Sequence, residues 1–131
     1  MATGRCQCGD ISYEVEGDPH HSALCHCADC RRSAGAHMVG WALFSQDNVR
    51  VTGSPTLYRS SEHVTRQFCG KCGTGLFYTN SSAFPGMIDV QTATLDDQSV
   101  YPPAIHVQWA EAAPWMGQAH ELPKFDRFPE G

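Results

Sequence analysis

Residues 64–79 read VTRQFCGKCGTGLFYT. Both flanks set β-branched or aromatic side chains against polar ones, the alternation of a strand. Between them lies C-G-K-C-G, a tight turn that brings two sulfurs to one zinc ion, and Gly73 suits the positive-φ geometry at the end of such a turn. The stretch therefore predicts two strands joined at a cysteine-bearing knuckle. The knuckle supplies only half of the four ligands that a tetrahedral site takes.

The other cysteines lie upstream. The chain has seven in all: Cys6 and Cys8 in C-Q-C, Cys25, Cys27 and Cys30 in C-H-C-A-D-C, and Cys69 and Cys72 in the knuckle. A disulfide frame would need an oxidising compartment and would leave one thiol over. The paired spacings instead read as metal or redox sites of a reducing compartment. Two doublets make one four-thiolate site, and the triplet makes a three-thiolate site with no cysteine left over. C-x-C lies on one strand face, so the chain must bend to place both sulfurs on one ion. Gly4 and Gly9 flank it and permit that bend. Pairing Cys6 and Cys8 with Cys69 and Cys72 ties the N-terminal segment to the central hairpin in a closed structural site, which contributes folding energy directly.

The triplet differs in chemistry. Three thiolates put a net −1 on a zinc complex, so bound water is less acidified there than at a three-histidine site. Such a centre suits a substrate thiolate better than hydroxide. Arg31 and Arg32 follow Cys30 directly and would offset the charge or hold substrate carboxylates. A histidine could instead close the site. His20, His21 and His37 are near enough in sequence, whereas His26, between two ligands, should point away.

The rest of the chain reads mainly as strands. Residues 11–17 alternate, with Ile11, Tyr13 and Val15 on one face; residues 37–44 form a longer apolar run. Residues 49–60 carry strand residues broken by Gly53, Ser54 and Pro55, a turn signal. Residues 87–95 and 104–110 are further strands. The best helix is short, Ala28–Ala34. Residues 111–131 hold Pro114, Pro123 and Pro129, which forbid a long helix or central strand; an extended tail with Trp115, Phe125 and Phe128 docked on the body is expected.

The 131 residues suit one domain, 1–131, large enough to bury a real core. The net charge of −5 argues against a nucleic-acid partner, and seven thiolates with two zinc ions would add three further negative charges. No apolar run approaches the ~20 residues of a membrane span, so no membrane partner is expected. The N-terminus lacks an apolar signal segment, and the expected location is cytoplasmic.

The order G-x-C-x-C-G, C-H-C-x-x-C-R-x-x-x-G and F-C-x-x-C-G resembles the glutathione-dependent formaldehyde-activating (GFA) family, whose relatives include centromere protein V. ATLD at 93–96 and HVQWAEAAPW with LPKF resemble its later segments, so the likeness runs over about residues 4–125. The resemblance implies a small, mainly β fold of the β-tent type with zinc sites joining sheet ends and hairpins. It implies two zinc ions: a structural one on Cys6, Cys8, Cys69 and Cys72, and a catalytic-type one on Cys25, Cys27 and Cys30. It also implies a carbon–sulfur lyase that condenses glutathione with formaldehyde to S-hydroxymethylglutathione. Only residues 1–4 precede the first motif, fewer than in glutathione-using members, so another thiol stands beside glutathione as the expected small-molecule substrate. Two other readings stay open. One is a zinc-dependent hydrolase or related enzyme on a small carbonyl or imine, which needs an acid–base residue such as His37, His63 or Asp96. The other is a zinc-stabilised interaction module without chemistry. Oligomeric state is not legible in the sequence.

Overall fold

The structure is a computed structural model and describes residues 1–129. Ten strands and one helix follow in chain order: β1 Ala2–Arg5, β2 Ser12–Val15, β3 His21–Cys25, α1 Ala28–Ala34, β4 Val39–Ser45, β5 Val49–Thr52, β6 Thr56–Arg59, β7 Val64–Phe68, β8 Gly75–Asn80, β9 Met87–Gln91 and β10 Ile105–Val107. They form two sheets, β1-β2-β5 and β10-β3-β4-β9-β8-β7-β6. All pairings are antiparallel except β10 with β3. The fold is mainly β, with two sheets and cysteine clusters at their ends, as the alternating patterns require.

Strand alternation divides the large sheet into two working faces. One face sends Ala42, Phe44, Phe77, Ile88 and Val90 into the main core, where they meet Ile11, Tyr13 and Val15 of the small sheet. Tyr13 and Phe77 pack edge to face, centroids 5.3 Å apart; such a pair adds about 0.5–1.5 kcal/mol beyond its buried area. The opposite face carries a second, smaller apolar cluster of Cys25, Cys30, Val39 and Trp41 beneath α1. Register places His21, Leu43, Asp89, Tyr78, Arg66 and Tyr58 directly opposite one another across six strands on that face. His21, Asp89 and Tyr78 of this row line a cavity together with Cys25, Cys27 and Cys30.

Several elements depart from the sequence expectation. Strands β1 and β3 carry too few alternating residues to stand out alone; each forms because a neighbour supplies its ladder. Residues 87–95 split into β9 and a 3-10 turn, Thr92–Thr94. The strand expected over 104–110 stops at Val107, because Gln108 turns into the left-handed region at φ 54. The stretch expected to be an extended tail holds a 3-10 helix, Met116–Glu121, which fits in the gap between Pro114 and Pro123 where a longer helix could not. Of its aromatics, Trp115 packs on His37, but Phe125 is mostly exposed and Phe128 is 92% exposed. The expected docking of those two rings is thus corrected: both stay largely exposed. The last two residues of the expected tail lie outside the described residues.

Candidate functional site

Cys6 and Cys8 lie just past β1, and Cys69 and Cys72 lie in the turn from β7 to β8. Their four sulfurs lie within 4.8 Å of one another. The Cys6–Cys8 and Cys8–Cys69 separations are 3.7 and 3.8 Å. A tetrahedron with metal–sulfur bonds of about 2.3 Å has edges of about 3.8 Å, so the set fits one ion. Backbone amides complete the cradle. Ile11 N donates to Cys6 Sγ at 3.3 Å, and Cys72 N donates to Cys69 Sγ at 3.5 Å. Thr74 joins the two loops, its Oγ1 lying 3.2 Å from Cys72 Sγ while accepting from Gln7 N. Hydrogen bonds from Thr74 pull the Cys72 thiol down to about 5. Gly73 has φ +84, the conformation its place in the knuckle demands.

The three-thiol set is built differently. Cys25 ends β3, Cys27 caps α1, and Cys30 lies inside the helix. The Cys27 sulfur takes the place of a capping oxygen, accepting from Cys30 N at 3.2 Å. From a distant turn, Glu111 Oε1 accepts from Ala28 N at 3.1 Å and pins the start of the helix. The three sulfurs lie within 4.8 Å of one another, and among the described residues no histidine or carboxylate joins them. Burial pushes Cys25 up to about 12 and raises Cys30 as well, in each case with a contribution from neighbouring thiols. Three crowded thiols of this kind cannot ionise together without a cation, so the donor set fits a soft divalent metal. Both clusters could hold a metal ion.

One arginine that the sequence did not mark touches this set. Arg66 is 6% exposed, and its Nη2 lies 2.9 Å from Asp29 Oδ2 and 3.5 Å from Cys30 Sγ. Its guanidinium also lies over the Tyr78 ring, 5.0 Å from the centroid. Arg31 and Arg32 sit elsewhere. Both border a shallow groove that also includes His37, and Arg32 further lines a larger cavity of about 660 Å³ on the other side of Trp41. Arg66, Gln67 and Gln91 share that larger cavity.

The three cysteines line their own cavity of about 310 Å³ with Trp41, Tyr78 and Asp89. Trp41 borders both cavities, which places them side by side. Gln108, strained at positive φ, also lines the smaller one. His21 reaches the same wall with its ring against Phe84. His26, between two of the cysteines, is buried and turned toward His106, Nε2 to Nδ1 at 2.8 Å. Its burial, with His106 adding to the effect, lowers its proton affinity.

The three acid–base candidates read from the sequence lie apart from the thiols. His37 faces Trp115, His63 stands beside Glu62, and Asp96 accepts from Thr3 Oγ1 at 2.7 Å. Asp89 was not marked, because in M-I-D-V-Q it alternates with Ile88 and Val90, the pattern of a strand whose polar side chains face water. Its burial, like the contact of Arg66 with Cys30, depends on strand order.

Comparison with known proteins gives three findings. The family described as "Glutathione-dependent formaldehyde-activating enzyme" matches residues 1–111. An uncharacterized lyase of Schizosaccharomyces pombe is 29% identical over 79 residues, 59% of this chain; the match spans 58% of that relative's length. A crystal structure of a Rhodobacter sphaeroides protein superposes with a TM-score of 0.62 at 25% identity, covering 79% of this chain and 98% of that one. No helix among the described residues is long and apolar enough to cross a membrane.

Proposed function

Since the chain belongs to the glutathione-dependent formaldehyde-activating family, we propose that it is a zinc-dependent carbon–sulfur lyase acting on a thiol–aldehyde adduct, with glutathione or another small thiol as the sulfur partner. The carrying observation is the three-thiol set, joined by no other protein donor among the described residues and opening onto a cavity sized for a small ligand. In the balanced reaction, a thiol sulfur bonds to an aldehyde carbon and the thiol proton ends on the aldehyde oxygen. The reverse breaks the same C–S bond.

Cys25, Cys27 and Cys30 would hold zinc, which when bound stabilises a sulfur anion near neutral pH. Cys6, Cys8, Cys69 and Cys72 would hold a second zinc that clamps the two sheets together.

The chain's own side chains divide the remaining work. Arg66 donates toward Cys30 and offsets negative charge where three thiolates crowd. Trp41 and Tyr78 form apolar walls that limit water around the reacting carbon. Arg32, with Gln67 and Gln91 in the larger cavity, offers a charged and polar seat for the carboxylates or amides of the thiol carrier.

The hydrolytic alternative on a carbonyl or imine rests on an acid–base residue; the three read from the sequence, His37, His63 and Asp96, do not line the thiol cavity, whereas Asp89 does. The interaction-module reading predicts a second site that is closed or empty, and among the described residues no fourth donor is placed to close it.

The test is exchange spectroscopy with 13C-formaldehyde and glutathione. Faster interconversion of free and thiol-bound formaldehyde with the two-zinc protein than with buffer supports the lyase reading; equal rates remove it.

A further inference from the structure

We propose that Asp89 is a catalytic residue of the three-thiol cavity, the general acid–base that carries the proton between the thiol and the aldehyde oxygen. The proposal rests on the lyase reading of that cavity.

Asp89 lies at the centre of β9, where Ile88 and Val90 face the main core and Asp89 faces the opposite way. That direction is the cavity lined by Cys25, Cys27 and Cys30. The residue is 7% exposed, and its Oδ1 has no hydrogen-bond partner among the described residues. A carboxyl that serves the fold is held by donors or a cation, because burying it alone costs several kcal/mol on the order of a lost polar interaction or more. Oδ1 itself is sealed from solvent and meets no donor. The part of the side chain that stays exposed lines the thiol cavity, and a substrate hydroxyl would meet the carboxyl there.

The surroundings leave the proton mobile. From β3 the titratable groups on this wall are His21 and Cys25; from the start of α1, Cys27 and Cys30; from β8, Tyr78. Strand β4 contributes only Leu43 opposite and Trp41 beside it. The next cation in the row is Arg66, beyond Tyr78, and its Nη2 is committed to Asp29 and Cys30. With burial acting and no cation opposing it, the carboxyl is pushed up to about 6. Both its forms are then populated near neutral pH, the condition for an efficient acid–base group.

The step balances without a co-reactant. In addition, the Asp89 carboxylate takes the thiol proton while sulfur bonds to the carbonyl carbon and the π pair moves to oxygen. The Asp89 carboxyl then gives that proton to the oxygen, forming the hydroxyl. In reverse, the carboxylate takes the hydroxyl proton, the C=O bond re-forms, the C–S bond breaks, and the sulfur leaves with the proton. Asp89 ends each cycle as it began.

The experiment measures glutathione–formaldehyde exchange by 13C NMR from pH 5 to 9 for the two-zinc wild type, Asp89→Asn and Asp89→Glu. Metal content is measured in each, and the Asp89 carboxyl is titrated by 13C NMR in the wild type. Expected are a loss of about 10²-fold or more in Asp89→Asn, disappearance of the inflection near pH 6, partial recovery in Asp89→Glu, and two zinc ions per chain throughout. A wild-type rate and pH profile in Asp89→Asn would overturn the role of Asp89 and leave the lyase reading standing. A wild-type Asp89 that titrates at the ordinary aspartate value overturns it equally, whether or not the variants fold. A wild type no faster than buffer removes the lyase reading, and this step falls with it.

Discussion

Arg66 Nη2 lies 3.5 Å from Cys30 Sγ, although 36 positions separate the two residues in sequence. The same nitrogen is 2.9 Å from Asp29, so one buried guanidinium braces both the ligand helix and its sulfur. Partners of this kind orient metal ligands and tune the charge they present. Arg66→Met should therefore lower zinc affinity at the three-thiol site by about 10- to 100-fold, the usual cost of losing such a partner. The four-thiol site should keep its zinc. Competition with a chromophoric chelator reads both sites, and equal weakening at both would contradict the assignment.

The two clusters should respond differently to loss of a ligand. Cys72→Ser opens the clamp between β1 and the β7–β8 hairpin, and the midpoint of thermal unfolding should drop by roughly 10 °C or more, since about 3 kcal/mol is enough to do so in a domain of this size. Cys27→Ser should lose one zinc and keep the fold, because the core of Tyr13, Phe44 and Phe77 lies on the other face of the sheet. Metal analysis paired with circular dichroism separates the outcomes, and identical behaviour of the two variants would dissolve the division of labour.

Asp89 should make stability depend on pH in a stated direction. Burial pushes its carboxyl up to about 6 in the folded chain, against about 3.9 in an unfolded one. Between those values the folded state binds the proton more tightly, so stability from this group is present below pH 4 and is lost as pH rises through 6. Asp89→Asn lacks the term. Its unfolding free energy relative to wild type should climb from pH 4 to 6 and level off above about 7, by an amount on the order of 1–3 kcal/mol, read as a rise in relative melting temperature. Acid release of metal affects both proteins and cancels in the difference. A difference that stays flat with pH would refute the buried, unpaired state of the carboxyl.

Arg31 and Arg32 are adjacent in sequence but border different spaces. Arg32 lines the larger cavity with Arg66, while Arg31 borders the shallow groove beside His37. Arg32→Ala should raise KM for an anionic thiol several-fold with little change in kcat, and Arg31→Ala should leave both near wild type. The reverse order of effects would move the carrier seat out of the larger cavity.

The sequence carried much of this architecture because cysteine spacing and strand alternation are local properties. C-G-K-C-G folds its own turn, and residues 64–79 became β7, knuckle and β8 as their pattern required. The 4-plus-3 grouping of cysteines followed from arithmetic and matches the sulfur positions. What escaped was set by the order of strands. β3 and β1 became strands through their partners, and Gln108 ended β10 by a local backbone turn that no residue type demands. A row across six strands supplies these side chains, so Arg66 touches Cys30 and Asp89 lines the thiol cavity while the arginines next to Cys30 border other spaces.

The most direct test of the central claim is the exchange rate between free 13C-formaldehyde and its glutathione adduct in the presence of the two-zinc protein. The account predicts exchange well above the buffer rate, abolished in Cys27→Ser while that variant keeps its fold and its structural zinc. Exchange that is no faster than buffer alone, or that survives unchanged in Cys27→Ser, would contradict it.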